Sequence, residues 1–183
     1  MNAELMPTEL GPEVSRSRLA PVRVSGGPPG GWWQSPAELL EDGVTVRTRD
    51  LTQRSYAPLP SSVGSARDFA VDTAQCWGLA DLAEDVRLVV SELVGNACRH
   101  ATSEEGNSSE TPIVVQLRLL SEEKAIVCMI ADNSDREPAR VDAHHFSESG
   151  RGLALVAAFS TDWGWQRREK GGKVVWAVCG GQE

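Results

Sequence analysis

Two apolar stretches separated by four residues constrain this chain more than any other feature. From Ile113 to Leu120 the residues Ile113, Val115, Leu117 and Leu119 alternate with Val114, Gln116 and Arg118, while Ala125 to Ala131 is apolar almost without a break. The first pattern predicts a strand with one buried face, the second a strand buried more completely. Ser121-Glu122-Glu123-Lys124 between them is a polar turn, too short for the crossover that parallel strands need. The two stretches therefore predict an antiparallel hairpin that must be covered by another layer.

The run from about Asp81 to Ala101 supplies that cover. Leu82, Val86, Val89, Val90, Leu93, Val94, Ala97 and Cys98 recur at the three-and-four spacing of one helical face. Before it, Ser61-Ser62 reads as the N-cap of a helix carrying Val63, Ala66, Phe69, Ala70, Thr73 and Ala74 on one side and ending near Trp77-Gly78. Val44 to Tyr56 predicts one or two strands, closed by Pro58 and Pro60. Beyond the central hairpin, Asn133 to Ser149 is a long polar loop of the kind that is functional or mobile. Gly150-Arg151-Gly152 opens a short helix, Leu153 to Phe159, and Asp162 to Arg168 with Lys173 to Val178 predict a closing hairpin around Lys170-Gly171-Gly172.

Strands grouped as hairpins predict an α+β fold, a two-layer sandwich of a mixed, mainly antiparallel sheet with helices on one face. Residues 1–44 mix Pro, Gly, Ser and charge without a period and are expected to be a disordered or loosely attached extension, leaving 45–183 as the folded domain. Within that extension Trp32 and Trp33 are adjacent. They read either as a docking patch, on the body or on a partner, or as chance exposure.

Composition narrows the function classes. A net charge of -8 and a pI near 5.0 disfavour long-range attraction to nucleic acid or anionic lipid, so neither is expected as a direct partner. No apolar run is long enough to span a bilayer, and the first residues lack the basic-then-apolar order of a secretion signal, which predicts a cytoplasmic protein. Cys76, Cys98, Cys128 and Cys179 lie in apolar surroundings without a C-x-x-C pair and are expected to be reduced core thiols.

Three pieces carry chemistry. Glu92, Asn96 and His100 follow one another at one-turn intervals along the margin of the apolar stripe, so a carboxylate and a carboxamide point the same way at the edge of the core. Asp132 ends a buried strand, where a carboxylate needs a donor such as an exocyclic amine. Gly150-Arg151-Gly152 stands at a helix start, where free N–H groups and the helix dipole favour phosphate. Brought together, they describe a nucleotide site: an amine-bearing base at Asp132, phosphates at the helix start, and a hard cation such as Mg²⁺ at the Asn96 oxygen. Each piece alone has a plainer reading as a surface pair, a turn residue or a tight turn.

Taken in order, Glu92-Leu93-Val94-Gly95-Asn96-Ala97 with Arg99-His100, then Ile130-Ala131-Asp132-Asn133-Ser134, then Ser149-Gly150-Arg151-Gly152-Leu153-Ala154-Leu155-Val156 resemble the N, G1 and G2 boxes of the histidine kinase-like ATPase domain, the Bergerat or GHKL fold. Within that family the chain is most similar to bacterial anti-sigma factor serine/threonine-protein kinases, on Trp77-Gly78-Leu79, Asp162-x-Trp-Gly and Gly172-Lys173-x-x-Trp176. The likeness covers roughly residues 55–178.

The resemblance implies an ATP-binding regulator that uses Mg²⁺ to phosphorylate a serine of an antagonist protein and so controls the availability of a sigma factor. Its alternative is a non-catalytic module in which ATP sets which protein partner is held. Glu92 is implied as the general base, Asn96 as the Mg²⁺ ligand and Asp132 as the reader of the adenine amine. Arg99, Ser134, Gly150, Arg151, Gly152 and Leu153 are implied around the nucleotide. His100 either joins that set or orients the helix end. The loop Asn133–Ser149 is implied as an ATP lid, with His144 and His145 plain lid residues. A homodimer is compatible with the likeness. The chain departs from the family at Ser134, where glycine is usual two residues after the aspartate; serine there is expected to restrict the backbone beside the base.

Overall fold

A computed structural model of the chain describes residues 45–47, 49–101, 111–138 and 151–181. Among the described residues six strands, β1 (Thr45–Arg47), β2 (Leu51–Tyr56), β3 (Ile113–Leu120), β4 (Ala125–Asp132), β5 (Asp162–Arg167) and β6 (Lys173–Gly180), form one sheet in the order β1-β2-β3-β4-β6-β5. Every pairing is antiparallel, so the sheet expected to be mainly antiparallel is antiparallel throughout. Three helices, α1 (Ser62–Cys76), α2 (Ala83–Ala101) and α3 (Arg151–Ala158), contribute to the main core on one face of it.

Helix α1 buries Ala66, Phe69, Ala70, Thr73 and Ala74, the expected face. Its start differs from expectation. Ser61 holds the N-cap position without a side-chain capping bond; instead the Ser62 hydroxyl donates to the Ala57 carbonyl at 2.7 Å, tying the helix to the Pro58–Pro60 turn. Its end is a Schellman motif: Leu79 N–H donates to the Ala74 carbonyl and Gly78 N–H to that of Gln75, with Gly78 at φ +74°. A single 3-10 turn, Ala80–Leu82, then reverses the chain into α2.

Helix α2 lies across the sheet with Val86, Val89, Val90, Leu93, Val94, Ala97 and Cys98 buried against Val115, Leu117, Ile126, Cys128 and Ile130. Burying each such aliphatic side chain contributes roughly 1.5–3 kcal/mol. Cys98, Cys128 and Cys179 are buried free thiols, and Cys128 is pushed well up by its hydrogen bond with Cys179 and by burial. Cys76 is exposed rather than part of the core, because it falls on the outer side of the last turn of α1.

One expectation about the sheet is corrected. The alternation predicts one buried face for β3, yet Val114 and Gln116 on the other face are buried as well. The Gln116 amide donates to Gln53 Oε1 at 2.9 Å from a directly paired position of β2, and Val114 joins a second apolar cluster. Polar character at one position of an alternating strand does not expose it when its cross-strand neighbour completes the hydrogen bond.

Candidate functional site

The sheet topology puts the C-terminal end of β4 beside the N-terminal end of β6, and both under the second half of α2. A cavity of about 230 Å³ opens there, lined by Leu93, Asn96 and His100 of α2, Asp132, Lys173, Val175, Leu153 of α3 and the stretch Arg136 to Pro138. It falls below the roughly 300–1,000 Å³ of sites that enclose a whole drug-sized ligand, so it suits a flat ring with the rest of its molecule outside. Leu93, Leu153 and Val175 give it apolar walls.

Asp132 and Lys173 are directly paired residues of β4 and β6, both on the helix-facing side. Lys173 Nζ donates to Asp132 Oδ1 at 2.8 Å and to the Ser134 carbonyl at 3.1 Å, and the pair is buried. Ser134 N–H donates to the same carboxylate oxygen at 2.9 Å, and Ser134 Oγ accepts from Arg136 N–H at 3.2 Å. Serine at 134 therefore builds a side-chain-closed turn beside the carboxylate. It does so without strain, since Lys124 is the only non-glycine at positive φ among the described residues.

The backbone around this pair is closely packed. Gly172, at φ +74°, sits against Asp132 so tightly that a Cβ would collide with the Asp132 carbonyl oxygen, and its N–H donates to Asp135 Oδ1 at 2.9 Å. The chain just beyond β4 is thus tied to the β5–β6 turn through Asp135. The remainder of the expected lid, including His144 and His145, lies outside the described residues.

The helix margin meets the third piece. A Cβ built on Gly152 would come within 2.6 Å of Glu92 Oε2 and 3.6 Å of both Asn96 Oδ1 and Nδ2, so both side chains reach the backbone that starts α3. Arg99 donates from its guanidinium to Asn96 Oδ1 one turn away. His100 lies at the cavity mouth; partial burial lowers its pKa, and Lys173, Arg99 and Arg136 lower it further against an opposing pull from Asp132. Leu153 is buried in the cavity wall. Arg151 is the first residue of α3, and Gly150 lies outside the described residues. The structure thus gathers Glu92, Asn96, His100, Asp132, Ser134, Gly152 and Leu153 around one opening.

A family model for the histidine kinase-like ATPase domain matches residues 56–179. The chain belongs to that family. The matched span takes in all of the elements that line the cavity, and excludes residues 1–55. Among solved structures, the chain is similar to the histidine kinase domain of the Erythrobacter litoralis EL346 blue-light activated histidine kinase, at 18% identity and a TM-score of 0.40, covering 69% of this chain and 62% of that one. A search of curated proteins finds no match.

For an ATPase domain of this family the unexpected member of the site is Lys173. An ammonium opening an otherwise apolar strand, Lys173-Val174-Val175-Trp176, is the sequence signal that marks it. A lone lysine at a strand start also fits an exposed edge, and only the register opposite Asp132 decides between the two. Asp135 was equally hidden, since its role lies in a hydrogen bond to a residue far along the chain.

Proposed function

We propose that the chain binds Mg-ATP in this opening and transfers phosphate to a serine of a partner protein, as an anti-sigma factor serine kinase acts on its antagonist in the cytoplasm. The observation that carries this reading is the close approach of the Glu92 and Asn96 side chains to Gly152 at the start of α3, beside a cavity that ends on a buried carboxylate.

The residues fit the ligands. The slot between Leu93, Leu153 and Val175 takes a planar base, and Asp132, with one oxygen engaged by Lys173 and Ser134, offers the other to an exocyclic amine. Gly152 brings main chain at a helix start close to the opening, where phosphate is favoured. Asn96 Oδ1 is a hard oxygen of the kind Mg²⁺ takes, and the Arg99 guanidinium that now donates to it would have to give way to the ion. When bound, ATP supplies the phosphoryl group and Mg²⁺ offsets its charge. Glu92 takes the proton of the serine hydroxyl, a step that requires the carboxylate within hydrogen-bond reach of that oxygen. Lys173 holds Asp132 in position and supplies its counter-charge. Among the described residues no helix is long and apolar enough to cross a membrane.

The test is to mix the protein with Mg-ATP and candidate antagonist proteins and to compare phosphate transfer between the wild type and Glu92→Ala. Transfer lost only in the variant supports the kinase. Transfer absent from both, with ATP binding intact, gives the non-catalytic binding module.

A further inference from the structure

The ion pair at the end of the cavity is more than the two strands need to stay together. Asp132 and Lys173 face each other across the ladder of β4 and β6, and the next pair on the same face, Ile130 with Val175, is apolar and buried. A buried ion pair is often no more stabilising than the apolar residues that could replace it, so joining strands does not call for one. Both charged side chains also line the cavity.

What each has left to offer follows from the bonds it makes. An ammonium carries three N–H groups, and Lys173 directs two of them to Asp132 Oδ1 and to the Ser134 carbonyl. Asp132 Oδ1 accepts from both Lys173 Nζ and Ser134 N–H, while among the described residues no hydrogen bond ends on Oδ2. One wall of the cavity thus keeps one donor and one acceptor next to each other, in a pair that is only 4% exposed.

We propose that Lys173 is a specificity-determining residue for the base, its third N–H donating to ring nitrogen N1 of adenine while Asp132 Oδ2 accepts from the adjoining amine, so that adenine nucleotides are selected over guanine nucleotides. The inference rests on the nucleotide reading above and adds the group that reads a second atom of the base. Adenine presents an amine beside an unprotonated ring nitrogen, a donor next to an acceptor, and so matches the wall. Guanine presents an oxygen followed by two donors, the N1–H and the N2 amine, which are best met by a carboxylate with both oxygens free. Here Lys173 and Ser134 hold Oδ1, so guanine would bring one donor too many into an apolar slot, where an unmade hydrogen bond is costly. Leu93, Leu153 and Val175 would take either ring alike, which leaves the choice to the charged pair. Because the donor is an ammonium, the contact with N1 is charge-assisted.

Calorimetry on the full chain with ATP, GTP and 1-deaza-ATP, in which a C–H replaces N1, tests this. The wild type should bind 1-deaza-ATP and GTP about 10- to 100-fold more weakly than ATP, the range of one hydrogen bond to a charged group. In Lys173→Met, with the fold checked by circular dichroism, the ratio between ATP and 1-deaza-ATP should fall to near one because the donor is gone. Should that variant fail to fold, the wild-type comparison decides alone. Equal binding of ATP and 1-deaza-ATP by the wild type, equal binding of ATP and GTP, or a ratio preserved in the folded variant overturns the proposal while leaving ATP binding intact. A wild type that binds no ATP removes the nucleotide reading and this inference with it.

Discussion

Lys173 Nζ stands 2.8 Å from Asp132 Oδ1 across directly paired positions of β4 and β6, with both side chains 4% exposed. Breaking a buried pair leaves its partner charged and unmatched, at about 3–5 kcal/mol, whereas removing both charges is close to neutral. Lys173→Met should therefore lower the urea midpoint sharply, and Asp132→Asn with Lys173→Met should recover most of the loss. Equal midpoints for wild type and Lys173→Met would show that the pair does not hold the two strands.

Asn96 is only half-buried and lies at the margin of the α2 stripe. Asn96→Ala should abolish magnesium-dependent nucleotide binding while shifting stability by less than about 1 kcal/mol, the worth of one partly solvated hydrogen bond. Calorimetry with ATP and ADP, with and without magnesium, reads the first effect, and thermal unfolding the second. Full affinity in the variant would remove Asn96 from the site.

Gly152→Ala places a methyl 2.6 Å from the present position of Glu92 Oε2. A carboxylate at the end of a flexible side chain can move aside, so the fold should survive. The proposed base would then be displaced, and misplacement by about 1 Å costs on the order of 100-fold in rate. Phosphate transfer should fall by that order in a protein whose melting temperature is nearly unchanged.

Two neighbouring glycines should respond differently. Gly171 and Gly172 both adopt positive φ, a cost of about 1–3 kcal/mol for most other residues. Gly171 faces open space, while Gly172 faces the Asp132 carbonyl and lies 2.8 Å, at a built Cβ, from Asn133 Cα. Gly172→Ala should destabilise more than Gly171→Ala in denaturant unfolding and should also weaken nucleotide binding, because Asp132 must shift.

Burial, then Lys173, Arg99 and Arg136, hold the His100 pKa below its ordinary 6.5, despite the opposing effect of Asp132. The unfolded chain therefore binds more protons between the folded pKa and 6.5, and stability rises with pH across that window. Its contribution is present above about 6.5 and is lost as pH falls toward the folded value. In His100→Gln that slope should flatten, as read from urea midpoints between pH 5 and 7. An unchanged slope would assign it to other groups.

Much of this was legible in the sequence because it is local. The α2 stripe, the hairpin of β3 and β4 and the Gly78 helix end each depend on neighbours a few residues apart. That Glu92, Asn96, Asp132 and Gly152 come near one opening could be anticipated for the same reason, since each sits in a short run at a helix or strand end. What depends on pairing across the sheet was not. Lys173 acquires its role only from the register that sets it against Asp132, Gln116 only from Gln53, and Asp135 only from the Gly172 amide. The Ser134 departure promised backbone restriction, and its outcome turned instead on hydroxyl and amide hydrogen bonds invisible to a residue-by-residue reading.

The internal lysine has an electrostatic consequence for any polyanion that approaches. The molecule as a whole is acidic, at -8, and a lone carboxylate at the end of the slot would add repulsion where it is felt most strongly. With the ammonium built into the same wall, the lining presents a dipole rather than a net negative charge. On the proposed reading, a triphosphate approaching the start of α3 would meet no net negative charge from the Asp132 wall.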